Sequence, residues 1–314
     1  MPEQQSASPR RSASRTSPVP AAPALTSGPL RSLAGSLASS RRAGGPDGDV
    51  FALCSVWSAA LRERLDTTVA ATGSVGRGDA TPASDLDVIR LGDGPTPGLD
   101  RLLAAGVRGD RSGATPASAG LPGRREDWEA GVLCWCAAPD RDRGVVKTGL
   151  LADAADPVSA AAAAAVPGSA MVADMLRDAL AHSPPRTTGL FRAASLDLKG
   201  ELLTPVVKIA RWAALGSGSC RHRTVDRLED AADAGLLTGR DAGVLVRAYR
   251  TGLSLSLDLA LGTGPSRVYG RHGRIMFSAL HPGDERDLRR AVSDLRGVCR
   301  TLRYRLSTST FTEV

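Results

Sequence analysis

Gly73-Ser74-Val75-Gly76-Arg77-Gly78-Asp79-Ala80-Thr81-Pro82-Ala83-Ser84-Asp85-Leu86-Asp87-Val88 is the run on which the reading of this chain turns. Residues 69–71 ahead of it read as a short strand, and SDLDVIRL (84–91) alternates polar and apolar with the period of a half-buried strand. Asp85 and Asp87 then point to one face, with Cα atoms ~6–7 Å apart, while Leu86 and Val88 point into the core. Two carboxylates side by side repel unless a cation sits between them. That spacing suits a pair of divalent ions ~3.5–4 Å apart, gripping an in-line phosphoryl displacement. Twelve residues upstream of Asp85, Gly73 lets backbone N–H groups approach a phosphate closely, Ser74 adds a hydroxyl, and Arg77 offers a fork of donors. Each half is weak by itself. GSVGRG is GxxGxG rather than the GxGxxG of a dinucleotide fold, Arg77-Gly78-Asp79 alone invites an adhesion reading, and a lone Asp-x-Asp is more often an exposed strand edge. Their distance from one another is what gives them meaning.

Outward from this run, residues 49–66 place Val50, Leu53, Val56, Trp57, Ala60 and Leu61 at helical spacing. Residues 106–125 show no periodicity and read as a long loop, of a length that is often functional. Runs at 132–137 and 145–152 read as strands, with Trp128 and Trp135 as core and Cys134 and Cys136 on one side of their strand. An Ala-rich segment from Asp156 leads to a helix near 169–181. After Pro184-Pro185 the pattern is helical throughout: 201–215, 224–235, a long helix from Thr238 with Asp241 completing a capping box, and 283–306. The expected fold class is α+β, a mixed β-sheet with flanking helices followed by a helical bundle. Expected boundaries are 1–45 for a disordered Ser/Pro/Arg-rich tail, 46–183 for the sheet domain and 184–314 for the bundle, with folding starting near Asp47.

The net charge of +7 on 314 residues is concentrated in that tail, which holds six arginines and one acid and leaves +2 for the rest. A basic nucleic-acid surface is therefore not expected. No apolar run approaches the ~20 residues of a membrane span. The tail has no apolar signal region, and its Arg/Ser content also resembles a transit peptide. Five scattered cysteines, with Cys134 and Cys136 one residue apart, match neither a CxxC pair nor a zinc knuckle, so reduced thiols in the cytoplasm are expected. Only three lysines stand among forty basic residues: Lys147, Lys199 and Lys208.

The Gly-Ser, spacer and Asp-x-Asp resemble the nucleotidyltransferase superfamily of the DNA polymerase β type. GSVGRGDATPASDLDV is similar to the N-terminal domain of protein-PII uridylyltransferases, and closer still to bacterial nucleotidyltransferases with a C-terminal substrate-binding domain. SLDLKGELLTPVVKIARWAAL (195–215) with TVDRLEDAADAGLL (224–237) looks like that family's C-terminal domain. The resemblance implies transfer of a nucleoside monophosphate from an NTP to an acceptor hydroxyl with release of pyrophosphate. Asp85 and Asp87 would hold Mg²⁺ or Mn²⁺, and Gly73, Ser74 and Arg77 would seat the phosphates. It also implies a third carboxylate, metal ligand and base, for which Asp153 is the choice and Asp156 the reserve. Basic groups from the helical domain, Lys199, Lys208 and Arg211, would close over the nucleotide. None of His182, His222, His272 or His281 is followed by Asp, so the uridylyl-removing His-Asp motif is missing. Asp79 stands where family members commonly carry Glu. The acceptor stays open: a PII-like protein, a small molecule of aminoglycoside type, or none, in a catalytically silent nucleotide-binding module.

Overall fold

The computed structural model describes residues 25, 28–44, 48–109, 114–187, 189, 193–264 and 274–309. The first half is built on α2 (Val50–Arg62), β1 (Val69–Thr72), α3 (Gly73–Arg77), β2 (Asp87–Arg90) and α4 (Pro97–Ala104). Asp49 caps α2 by accepting from the Phe51 and Ala52 N–H groups. β1 and β2 pair antiparallel, Val69 opposite Arg90 and Thr72 opposite Asp87. A parallel bridge between Leu86 and Gly109 brings the chain back beside β2 after α4, the crossover expected of a strand–helix–strand unit.

The sheet is smaller than its sequence promised. Residues 132–137 and 145–152 are not strands; they belong to α5 (Arg125–Ala137) and α6 (Gly144–Ala152). In α5 the buried set is Trp128, Val132, Trp135 and Cys136, spaced four, three and one apart, which is a helical stripe. Cys134 consequently faces solvent while Cys136 is buried. The β-branched Val145, Val146 and Thr148 favour strand locally, but α6 packs on α5, α7, α8 and α9, and burial of Thr148, Leu151 and Ala152 there overrides that preference while Val146 stays exposed. Trp128 and Trp135 are core residues, packed edge to face at 5.8 Å.

The second half comprises α7 (Ala160–Ala165), α8 (Met171–Leu180), a two-residue strand pair β3 (Ser195–Leu196) and β4 (Ile275–Met276), α9 (Thr204–Gly216), α10 (Thr224–Asp233), α11 (Gly239–Leu261) and α12 (Pro282–Ser309). A π-helical turn, Leu198–Leu203, runs into α9. Thr238 caps α11 by accepting from the Asp241 N–H.

The expectation of a disordered tail is corrected for part of its length. Residues 29–43 form α1 (Pro29–Ala43), which buries Leu30, Leu37 and Ala38 against α2 and α11. Leu30, Leu33 and Leu37 are helically spaced within the polar composition, and Arg41 fastens the end by donating to Asp258 and to the Gly48 carbonyl. Residues 1–24 and Asp47 lie outside the described residues.

Candidate active site

β1 hands the chain directly to α3. Because Thr72 is paired with Asp87, the sheet register itself sets Gly73 against the Asp87 carboxylate. Gly73 has φ +59°, and a Cβ there would stand 2.7 Å from Asp87 Oδ2. Only glycine meets both demands. Within the turn, Gly73 and Ser74 are partly exposed whereas Val75 to Ala80 are buried. Gly76 answers a different need: a Cβ would fall 1.9 Å from the Asp153 carbonyl oxygen and 2.8 Å from that of Ala71.

Through residues 85–88, leading into β2, the burial alternates. Leu86 and Val88 are buried, and Asp85 and Asp87 lie on the more open face. Asp87 Oδ1 accepts from the Ala114 N–H at 3.3 Å. Asp85 meets two cations, Arg108 Nη2 at 3.1 Å on one oxygen and Lys199 Nζ at 3.7 Å on the other. The structure thus brings Gly73, Ser74, Asp85, Asp87 and Lys199 to one face. It adds Arg108, which the sequence reading passed over inside a presumed loop. The signal available was the strand–helix–strand order that returns residues 107–109 to the edge of β2.

Four other expected site residues, Asp153, Arg77, Arg211 and Lys208, are engaged elsewhere in the structure, which corrects their expected roles. Asp153, at the C-terminal end of α6, is 1% exposed. Its carboxylate accepts from Arg77 and Arg211, and from Arg227 Nη1 at 2.6 Å. Burial alone would raise its pKa, but Arg211, Arg77 and Arg227 prevail and hold it well below the usual carboxylate range. Both of its oxygens are thus taken up by guanidinium donors. Arg77 is itself buried, bound to Asp153 and Asp79, so its fork points at carboxylates rather than phosphates. Arg211 is committed to Asp153 in the same way. Lys208 pairs with Asp178 of α8 at 2.8 Å. The reserve residue Asp156 receives Arg125 at 2.5 and 2.9 Å and caps the following turn through the Val158 N–H.

Asp79 completes this buried cluster. It accepts from Arg77, from Thr224 Oγ1 at 2.5 Å and from Tyr249 Oη at 2.9 Å. Arg77, Asp79 and Asp153 come from the first half, while Arg211, Thr224, Arg227 and Tyr249 come from α9, α10 and α11. The Gly-Ser turn is therefore clamped from behind by the helical half.

Among the described residues, no group of three or more His, Cys, Asp or Glu side chains is placed to hold a metal ion. The donor set at the open face is two carboxylates. Mg²⁺ commonly binds through one or two carboxylates and completes its shell with water and substrate phosphates, so this pair fits such an ion only together with a nucleotide.

Residues 53–113 match the family model described as "Nucleotidyltransferase domain". Residues 169–306 match that described as "Putative nucleotidyltransferase substrate binding domain". The first match spans β1, α3, β2 and α4, and the second runs from α8 into α12. It begins ahead of the Pro184-Pro185 break, in keeping with the packing of α8 on α9. No curated protein matches the chain. Among the described residues no helix is long and apolar enough to cross a membrane.

Proposed function

We propose that the chain transfers a nucleoside monophosphate from a Mg²⁺- or Mn²⁺-bound NTP to an acceptor hydroxyl. The acceptor oxygen bonds to the α-phosphorus, the bond to the β-phosphate oxygen breaks, and pyrophosphate leaves. The observation that carries this reading is the close approach of Gly73 to the Asp87 carboxylate, which sets a glycine turn directly against an acidic strand. Asp85 and Asp87 would hold the metal, which when bound neutralises phosphate charge and orients the leaving group. Gly73 and Ser74 offer donors to the phosphates, and Lys199 adds a mobile cation from the helical half. With Asp153 held by arginines, the acceptor's proton passes to solvent.

Uridylylation of a PII-like protein in a bacterial cytoplasm is the narrower form of the proposal, resting on the resemblance of 73–88. A small-molecule acceptor is its competitor. A nucleotide-binding module without turnover is favoured by one observation: both residues considered for a third carboxylate, Asp153 and Asp156, are held in ion pairs. Incubation with each α-labelled NTP in a host lysate, with pyrophosphate release followed in parallel, separates these. Label on a protein or on a small molecule identifies the acceptor, and Asp87→Ala abolishes it. Calorimetric binding of metal–NTP with no pyrophosphate from any nucleotide assigns the silent module, and wild-type turnover by Asp87→Ala overturns the metal assignment.

A further inference from the structure

The cations paired with carboxylates near the glycine turn fall into two groups. Arg77, Arg211 and Arg227 are fixed on Asp153, and Lys208 on Asp178. Arg108 and Lys199 are different: they converge on Asp85 from opposite halves of the molecule. The Lys199 side chain is 71% exposed and its 3.7 Å contact is loose. Arg108 uses Nη2 on Asp85, while its Nη1 is buried and has no hydrogen-bond partner among the described residues. A buried donor left without an acceptor is costly, so a ligand oxygen arriving there is favoured.

We infer that Arg108 and Lys199 are exchangeable counter-ions of Asp85, which leave the carboxylate for the phosphates when metal and nucleotide arrive together. This rests on the nucleotidyl-transfer reading and adds to it an obligate coupling of the two ligands. A divalent ion alone must enter a carboxylate already neutralised by two cations, and is repelled by both. A triphosphate alone meets the acidic pair. Arriving together, the metal takes Asp85 and the displaced cations take phosphate oxygens, so each ligand raises the other's affinity by the same factor.

The test is Mn²⁺ binding, followed by loss of the free-ion electron paramagnetic resonance signal, with and without non-hydrolysable α,β-methylene analogues of all four NTPs. The wild-type protein binds Mn²⁺ weakly alone and more tightly with an analogue. Arg108→Ala and Lys199→Ala each bind Mn²⁺ alone about fivefold tighter, the equivalent of losing a partly exposed ion pair, yet bind the Mn²⁺–analogue complex more weakly. Arg108→Gln and Lys199→Met, with unchanged thermal midpoints, guard against misfolding. Unchanged or weaker binding of Mn²⁺ alone in all four variants overturns the inference. If instead the wild type binds no Mn²⁺–analogue complex and Asp87→Asn is indistinguishable from it, the nucleotidyl-transfer reading itself has failed.

Discussion

At the scale of single residues, the two glycines of the turn do different work, and substitution separates them. Gly76→Ala drives a methyl group into the Asp153 and Ala71 carbonyls, and backbone cannot step aside as a flexible side chain can. A loss of about 3 kcal/mol in denaturant unfolding is expected. Gly73→Ala meets only the end of the Asp87 side chain, together with a positive φ. It costs about 1 kcal/mol and is expected to lower transfer far more than stability. Asp153→Asn reports on the buried cluster: three guanidinium groups lose their shared anion, so a loss of about 3–5 kcal/mol is expected. A variant of normal stability that had lost only turnover would restore Asp153 as the general base. Of this site, Gly73, Asp85 and Asp87 were legible because register and period-two alternation are local properties of sequence. Arg108 and the Asp79 cluster were not, since their partners lie far along the chain.

Secondary-structure elements show where local preference gives way. α5 and α6 carry short apolar runs with β-branched or alternating character, and the competing helical spacing of Trp128, Val132, Trp135 and Cys136 emerges only over a longer window. The first helix was hidden differently. Composition across residues 1–45 is that of a disordered segment, yet Leu30 and Leu37 find a groove formed by α2 and α11. Helices of this length draw their stability from such tertiary contacts. Leu37→Ala is therefore expected to destabilise the whole protein by about 3 kcal/mol, measured as a lowered midpoint in denaturant. An unchanged midpoint would show α1 to be dispensable.

For the whole molecule, the clamp of Arg77, Asp79 and Asp153 by α9, α10 and α11 makes stability depend on pH in two stages. Burial and the nearby Arg227 hold His222 below its ordinary pKa. As pH falls below about 6.5 the unfolded chain takes up that proton first, and stability begins to decline. Asp153 is held ionised in the folded state by its arginines. Its contribution is complete above about pH 4 and fades as pH falls further and the unfolded carboxyl protonates. Thermal midpoints between pH 8 and 3 should show both stages. His222→Gln should flatten the upper one and leave the lower; if it flattens neither, the imidazole is not the titrating group.

Sequence by itself determined the two short strands with their acidic pair, the helical character of the second half, and the cap of α11, because each follows from hydrophobic period or from hydrogen bonds within a few residues. Tertiary structure alone decided which charges are available. Arg77, Arg211 and Asp153 have the chemistry of an active site, but burial beside one another turned them into a structural clamp. Lys199 and Arg108, brought from distant segments to the same carboxylate, were left able to exchange it for a ligand. Charge is written in the residue type, whereas the partner that neutralises it is set by packing.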